Sequence, residues 1–215
     1  MLSGQTRVDE ISILKTFLGF DQGSSQNLCI FTPMVLLESA SDDLKYTFTI
    51  ANRGRSIMKG DPKVFKVLSD VLRKELTGIN QYFVHAKMCK NWGYEALYEV
   101  SWKESLDEMK HAELLIERIL FLEGVPNLSG YDKIMVGSTV KQQLENDLGL
   151  ETAALGVLKP GIKTCLEAGD DASRELLEHI VVDEEHHVDW LEAQLHKIEE
   201  VGYQNYLAQQ IYKKS

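Results

Sequence analysis

Ser105-Leu106-Asp107-Glu108-Met109-Lys110-His111 carries an acid and an imidazole three residues apart. On a helix that interval puts Glu108 and His111 on one face, one turn apart. Asp183-Glu184-Glu185-His186-His187 repeats it with Glu184 and His187. Two helices so equipped can offer carboxylate oxygen and imidazole nitrogen to one point, a donor mixture that first-row metals accept. The fold then turns on whether the remaining chain supplies a container for these two pairs.

The periodicity around them is helical. Asp61-Pro62 reads as an N-cap followed by a proline in the first turn. Val64, Val67, Leu68, Val71, Leu72, Ile79 and Phe83 then form one apolar stripe, predicting a helix to about Lys90 that stops at Trp92-Gly93. A second helix is expected from near Tyr94 to about Leu122, ended by Glu123-Gly124-Val125-Pro126. The long connection after it allows the chain to cross the length of a bundle. A third helix starts near Thr139 and stops at Gly169-Asp170, and Pro160-Gly161 predicts a kink or break near residues 156–159. A fourth covers about Ala172 to Val201, and Asn205 to Tyr212 can form a short fifth. The expected class is therefore all-α: a four-helix bundle with one long crossover and a short fifth helix.

Two of the four long helices carry Glu-x-x-His, and the other two each supply an acid at matching distance. Glu75 precedes Glu108 by 33 residues (108 − 75), and Glu151 precedes Glu184 by the same 33 (184 − 151). Taken singly, Glu75 or Glu151 fits a solvated helix face and His111 fits a satisfied core histidine. Taken together, Glu75, Glu108, His111, Glu151, Glu184 and His187 form the pattern of the di-iron or di-manganese carboxylate bundles. Four carboxylates neutralise the four positive charges of two divalent cations, which offsets the cost of burying charge. Tyr82, Asp183 and Trp190 lie within a turn or two and are candidates to orient the ligands. His85, His179, His186 and His196 read as surface residues, and Cys89 and Cys165 as small buried or half-buried apolar residues. Met109 turns away from the metal face, and spacing alone assigns it to core or interface packing.

The whole chain bounds the function. Its 215 residues, 44% apolar and 26% charged, suit a globular protein, and the net charge of −10 argues against nucleic acid and for cations. Three scattered cysteines without Cys-x-x-Cys fit a reducing, cytoplasmic setting rather than a disulfide framework. The N-terminus does not read as a secretory signal, and no apolar run approaches the roughly 20 residues of a membrane span. Residues 1–57 lack a long amphipathic face and read as a loosely packed or disordered extension, and residues 58–215 as the bundle.

From Met58 onward the chain resembles bacterioferritin. The resemblance is carried by Met58-Lys59-Gly60-Asp61, Ile79-Asn80-Gln81-Tyr82-Phe83, Asp107-Glu108-Met109-Lys110-His111-Ala112 and Glu117-Arg118-Ile119-Leu120-Phe121-Leu122-Glu123-Gly124. Asp183-Glu184-Glu185 with His187, Asp189-Trp190-Leu191-Glu192 and Gln204-Asn205-Tyr206-Leu207 extend it to the end. It implies a ferritin-like bundle assembled from two-fold dimers into a 24-subunit shell that oxidises ferrous iron and stores ferric mineral. It implies the six acids and histidines as the ferroxidase ligands, with Glu108 and Glu184 bridging. It further implies that the Met109 sulfur ligates a haem b shared by two subunits, fed by a ferredoxin-type reductase. One departure stands out: the family's inner-surface iron site pairs a histidine with an acid, and here Asp107 is accompanied by Lys103.

Three functions are thus in view. The first is a ferroxidase and iron-storage shell. The second is a di-iron oxidase or peroxidase of rubrerythrin type, a family that usually adds a Cys-x-x-Cys module absent here. The third is a shell protein whose metal sites are only structural.

Overall fold

The computed structural model describes residues 59–212; the expected extension lies outside the described residues. Among the described residues five helices follow in order: α1 Pro62–Trp92, α2 Glu95–Phe121, α3 Val140–Glu167, α4 Asp171–Val201 and α5 Tyr203–Ala208. The Asp61 carboxylate accepts from the Lys63 N–H at 2.7 Å, and Pro62 occupies the first turn of α1, where its missing N–H is no loss. Gly93 ends that helix at φ 84°, a left-handed conformation that glycine adopts without a Cβ clash. Thr139 and Asp170 cap α3 and α4 through their side-chain oxygens.

α1 packs along α2, α3 along α4, and α1 also against α3, whereas α2 and α4 touch only sparsely. The apolar core falls into two layers. One holds Val64, Leu68, Leu72, Leu115, Ile119, Leu158, Leu177 and Ile180. The other holds Cys89, Leu97, Val140, Leu144, Leu191, Ile198 and Tyr206. Each fully buried Leu or Ile contributes about 1.5–3 kcal/mol. On every long helix the buried acids and histidines fall between the segments that feed these layers. The bundle therefore has a polar waist held between two apolar ends. No helix among the described residues is long and apolar enough to cross a membrane.

Residues 122–139 form the crossover, and α1 holds them with three side chains spaced by four residues. Thr77 accepts from the Asp132 N–H at 3.0 Å, Gln81 from the Met135 N–H at 2.9 Å, and His85 Nε2 from the Gly137 N–H at 3.1 Å. A Cβ on Gly137 would meet the Gln143 nitrogen at 2.4 Å, so only glycine allows this approach. His85 is therefore not a surface residue; it is fully buried, and its Nδ1–H donates to both Asp147 oxygens at 2.9 and 3.0 Å. His179, His186 and His196 are exposed as expected, and Cys89 and Cys165 are buried.

Two helix expectations need correction. α3 runs without a break through Pro160. Gly156 and Pro160 both lie on the exposed face, so water can satisfy the carbonyl that the proline leaves unbonded. The short fifth helix starts at Tyr203, earlier than expected, and ends at Ala208.

Candidate metal centre

Glu75 comes from α1, Glu108 and His111 from α2, Glu151 from α3, and Glu184 and His187 from α4. All six side chains are buried to 9% exposure or less. They form two overlapping sets whose donor atoms lie within 4.8 Å of one another: Glu75, Glu108, Glu184 and His111, and Glu108, Glu151, Glu184 and His187. Glu108 and Glu184 belong to both sets. A helical glycine makes room for this: a Cβ on Gly78 would come within 3.1 Å of Glu108 Cγ.

The two imidazoles face the cluster with the same nitrogen. His111 Nδ1 lies 3.3 Å from Glu75, 3.3 Å from Glu108 and 3.4 Å from Glu184. His187 Nδ1 lies 3.5 Å from Glu108, 3.8 Å from Glu151 and 3.5 Å from Glu184. Tyr82 donates its hydroxyl proton to Glu151. Several buried donor atoms nevertheless have no hydrogen-bond partner: Glu75 Oε1, Glu108 Oε1, both Glu184 oxygens and His187 Nδ1. An orphaned buried carboxylate oxygen costs about 1–3 kcal/mol or more. Five such atoms gathered at one place fit a pair of divalent cations, which oxygen and imidazole donors would hold.

Protonation follows from the crowding. Burial, and then the Glu108 charge, raises the Glu75 carboxyl well above the ordinary range. Burial, and then the Glu184 and Glu108 charges, does the same to Glu151. Burial would push Glu108 and Glu184 upward too, but contacts with His111 and His187 outweigh it and hold both below the ordinary range. For the imidazoles, burial favours the neutral ring and loses to the carboxylates, so both are raised strongly: His111 by Glu108, Glu184 and Glu75, and His187 by Glu104, Glu108 and Glu184. Crowding thus favours the protonated forms of both imidazoles and of Glu75 and Glu151, and the ionised forms of Glu108 and Glu184.

A cavity of about 560 Å³, lined by Lys103, Glu104, Asp107, Asp183, His187 and Trp190 among others, lies beside the cluster between α2 and α4. All three expected orienting residues line it: Tyr82, Asp183, which accepts from His111 Nε2 at 3.3 Å, and Trp190. Glu104 escaped the sequence reading. Its carboxylate lies 2.6 Å from His187 Nε2, and its position four residues before Glu108, on the same helix face, was the available signal. Asp107 is engaged by Lys103 and, at 2.7 Å, by Lys110. Its carboxyl, although partly buried, is lowered by the Lys103 contact. Asp107 is thus paired with two lysines, and with Glu104 and His187 it also forms a third group whose donor atoms lie within 4.8 Å of one another.

Met109 is 51% exposed on α2, so it is not a core residue of the single chain. Trp102 and Leu106 share its helix face at intervals of four and three residues. Phe83 packs against Trp102 with ring centroids 5.6 Å apart. Met109, Leu106 at 40% exposure and Phe83 at 46% leave an apolar patch open on the side away from the acids.

Comparison with known proteins agrees with this architecture. The model of the ferritin-like domain matches residues 65–201. The chain is 48% identical over 152 residues to a bacterioferritin of Mycobacterium leprae, covering 71% of this chain and 96% of the relative. It is 47% identical to bacterioferritin BfrA of Mycobacterium tuberculosis over 152 residues, with the same coverage. A bacterial ferritin of Synechocystis is 48% identical over 155 residues, or 72% of this chain and 99% of that protein. With the bundle, the waist and these relatives in agreement, the chain belongs to the bacterioferritin family of ferritin-like proteins.

Proposed function

We propose that this chain stores iron and acts as a ferroxidase. Ferrous ion is the substrate, bound by Glu75, Glu108, His111, Glu151, Glu184 and His187 and giving its electrons to dioxygen or peroxide, and ferric mineral is kept in a 24-subunit shell. The observation that carries the reading is the set of five buried donor atoms in the waist that make no hydrogen bond. Relatives that the chain matches nearly end to end are named bacterioferritin, which supports storage over a rubrerythrin-type oxidase. Glu108 and Glu184 face both donor sets and are suited to bridge two cations. Glu75 and Glu151 give up protons as cations bind, and the raised acidity threshold of each makes binding release protons. The cavity between α2 and α4 gives the substrate a way in.

The exposed patch around Met109 supports a thioether-ligated haem b shared by two subunits across a two-fold axis. A ferredoxin-type reductase would then supply electrons for iron release. The apolar wall of Trp102, Leu106 and Phe83 suits a porphyrin face, and Met109 would be the residue whose sulfur holds the haem iron and tunes its potential.

Iron loading tests the proposal. Purified protein given excess ferrous iron and oxygen should form a ferric core of many atoms per particle, and Glu108→Ala should abolish the fast oxidation phase seen by stopped-flow absorbance. A wild-type particle that never accumulates a core would end the storage reading. Met109→Leu should remove the haem absorbance band and leave the fast oxidation phase in place.

A further inference from the structure

We infer that Glu104 and Asp183 are paired positioning residues, each fixing the histidine carried by the opposite helix. The inference rests on the metal-centre reading above and extends it to side chains outside the six donors.

Both imidazoles spend Nδ1 on the cluster and leave Nε2 for an outer partner. His111, on α2, directs Nε2 at Asp183 of α4 at 3.3 Å. His187, on α4, directs Nε2 at Glu104 of α2 at 2.6 Å. The arrangement is reciprocal, and it spans the seam where α2 and α4 otherwise touch sparsely. An imidazole attached to one helix can swing about χ1 and χ2, and a carboxylate on the same helix would move with it. A carboxylate on the facing helix fixes the ring against an independent reference. It also assigns the tautomer, because a proton kept on Nε2 leaves Nδ1 free for a cation.

The two halves are not equal. Glu104 is 15% exposed, and its oxygen is close to Nε2 but lies off the N–H axis. Asp183 is 39% exposed, its contact is longer, and His179 approaches the same oxygen at 3.8 Å. Burial strengthens a charge contact by excluding water, so Glu104 should hold its ring more firmly than Asp183.

Cobalt(II) titration of the metal-free protein, followed by d–d absorbance, tests this without recourse to iron oxidation. Wild type should bind two cobalt ions per chain. Glu104→Ala should leave one ion bound as in wild type and weaken the other by about 10–100-fold. Asp183→Ala should also weaken one ion, by less, and the double variant should weaken both. Glu104→Gln, whose amide oxygen can still accept from Nε2, should recover most of the loss and guards against a folding defect in the alanine variant. Wild-type affinity at both ions in Glu104→Ala and Asp183→Ala would overturn the inference. Equal weakening of both ions in each single variant would overturn it too, since that pattern marks general loosening of the bundle. If wild type itself fails to bind two cobalt ions, the metal-centre reading fails first, and the two failures are thereby told apart.

Discussion

Two buried polar clusters share the waist of this bundle, and they are built on opposite principles. Around the crossover, His85, Asp147, Gln81 and Thr77 exchange hydrogen bonds with one another and with the backbone of residues 132–137. None of their side-chain polar atoms is left buried without a partner. Among Glu75, Glu108, Glu184 and His187, five buried atoms have none. Chemistry of the residues does not separate the two, since both combine histidine with acid. Completeness does. A satisfied network fixes structure, because every group has given up water for a protein partner. An unsatisfied one stores a cost that only a ligand can relieve.

Substitution should expose that contrast most strongly. Asp147→Ala would strand the His85 Nδ1–H and the Gln81 amide in the core, and should cost the metal-free protein about 2–5 kcal/mol by denaturant unfolding. Glu75→Gln should cost under about 1 kcal/mol in the same measurement, because Glu75 is already raised towards its neutral form, which glutamine mimics in shape. The order should reverse once divalent metal is added. Cobalt(II) should stabilise Asp147→Ala by an increment close to that of wild type, while Glu75→Gln should lose most of its increment. Equal costs for the two variants without metal would remove the distinction between the clusters.

Protons give a smaller effect with a definite sign. His111, His187, Glu75 and Glu151 all bind protons more tightly folded than unfolded. Their stabilisation of the metal-free protein is complete below the unfolded values, and it is lost as pH rises through the raised folded ones. Glu108 and Glu184 are lowered, so their contribution is fully present above the ordinary carboxylate range and is lost only in acid. The melting temperature of metal-free protein should therefore fall between about pH 4.5 and 9, gently at first as Glu75 and Glu151 lose their contribution and more steeply above about pH 6.5, where His111 and His187 join them. Metal-loaded protein should stay flat over that range or gain stability, because cations replace the protons. A metal-free melting temperature that climbs across this window would contradict the proposed protonation of the waist.

Much of the architecture was legible because its signals are local. Asp61-Pro62 and Gly93 bound α1 through cap chemistry that needs no knowledge of the fold. The two Glu-x-x-His pairs and the equal spacing of Glu75 and Glu151 pointed to the six residues that cluster, since helical period sets the face and equal spacing on paired helices sets the level. His85 was misplaced because its burial depends on the crossover, a segment remote in sequence whose backbone N–H groups need acceptors. Glu104 was missed because its partner sits on another helix, and spacing within α2 marks a face without saying what lies opposite. Pro160 misled because its effect depends on whether water reaches the carbonyl it leaves unbonded, which is a property of exposure. Spacing alone assigned Met109 to core or interface packing; the structure shows it exposed on the single chain, which spacing could not supply.

The finest probe of the contrast is a single methyl group at Gly78. Alanine gains about 1 kcal/mol over glycine inside a helix. Here its Cβ would stand 3.1 Å from Glu108 Cγ, so the carboxylate must shift by a few tenths of an ångström. Without metal that shift costs about what the helix gains, because Glu108 Oε1 has no hydrogen bond to lose and the hydrogen bond disturbed is the 3.3 Å contact of Oε2 with His111. Gly78→Ala should therefore match or slightly exceed wild-type stability in the metal-free state. With metal the same shift matters, since Glu108 faces both donor sets. Cobalt(II) should bind severalfold more weakly, and both ions should be affected together. That pattern differs from the one-ion loss expected of Glu104→Ala, and the difference assigns bridging to Glu108. A variant that weakens one ion alone would assign Glu108 to a single cation.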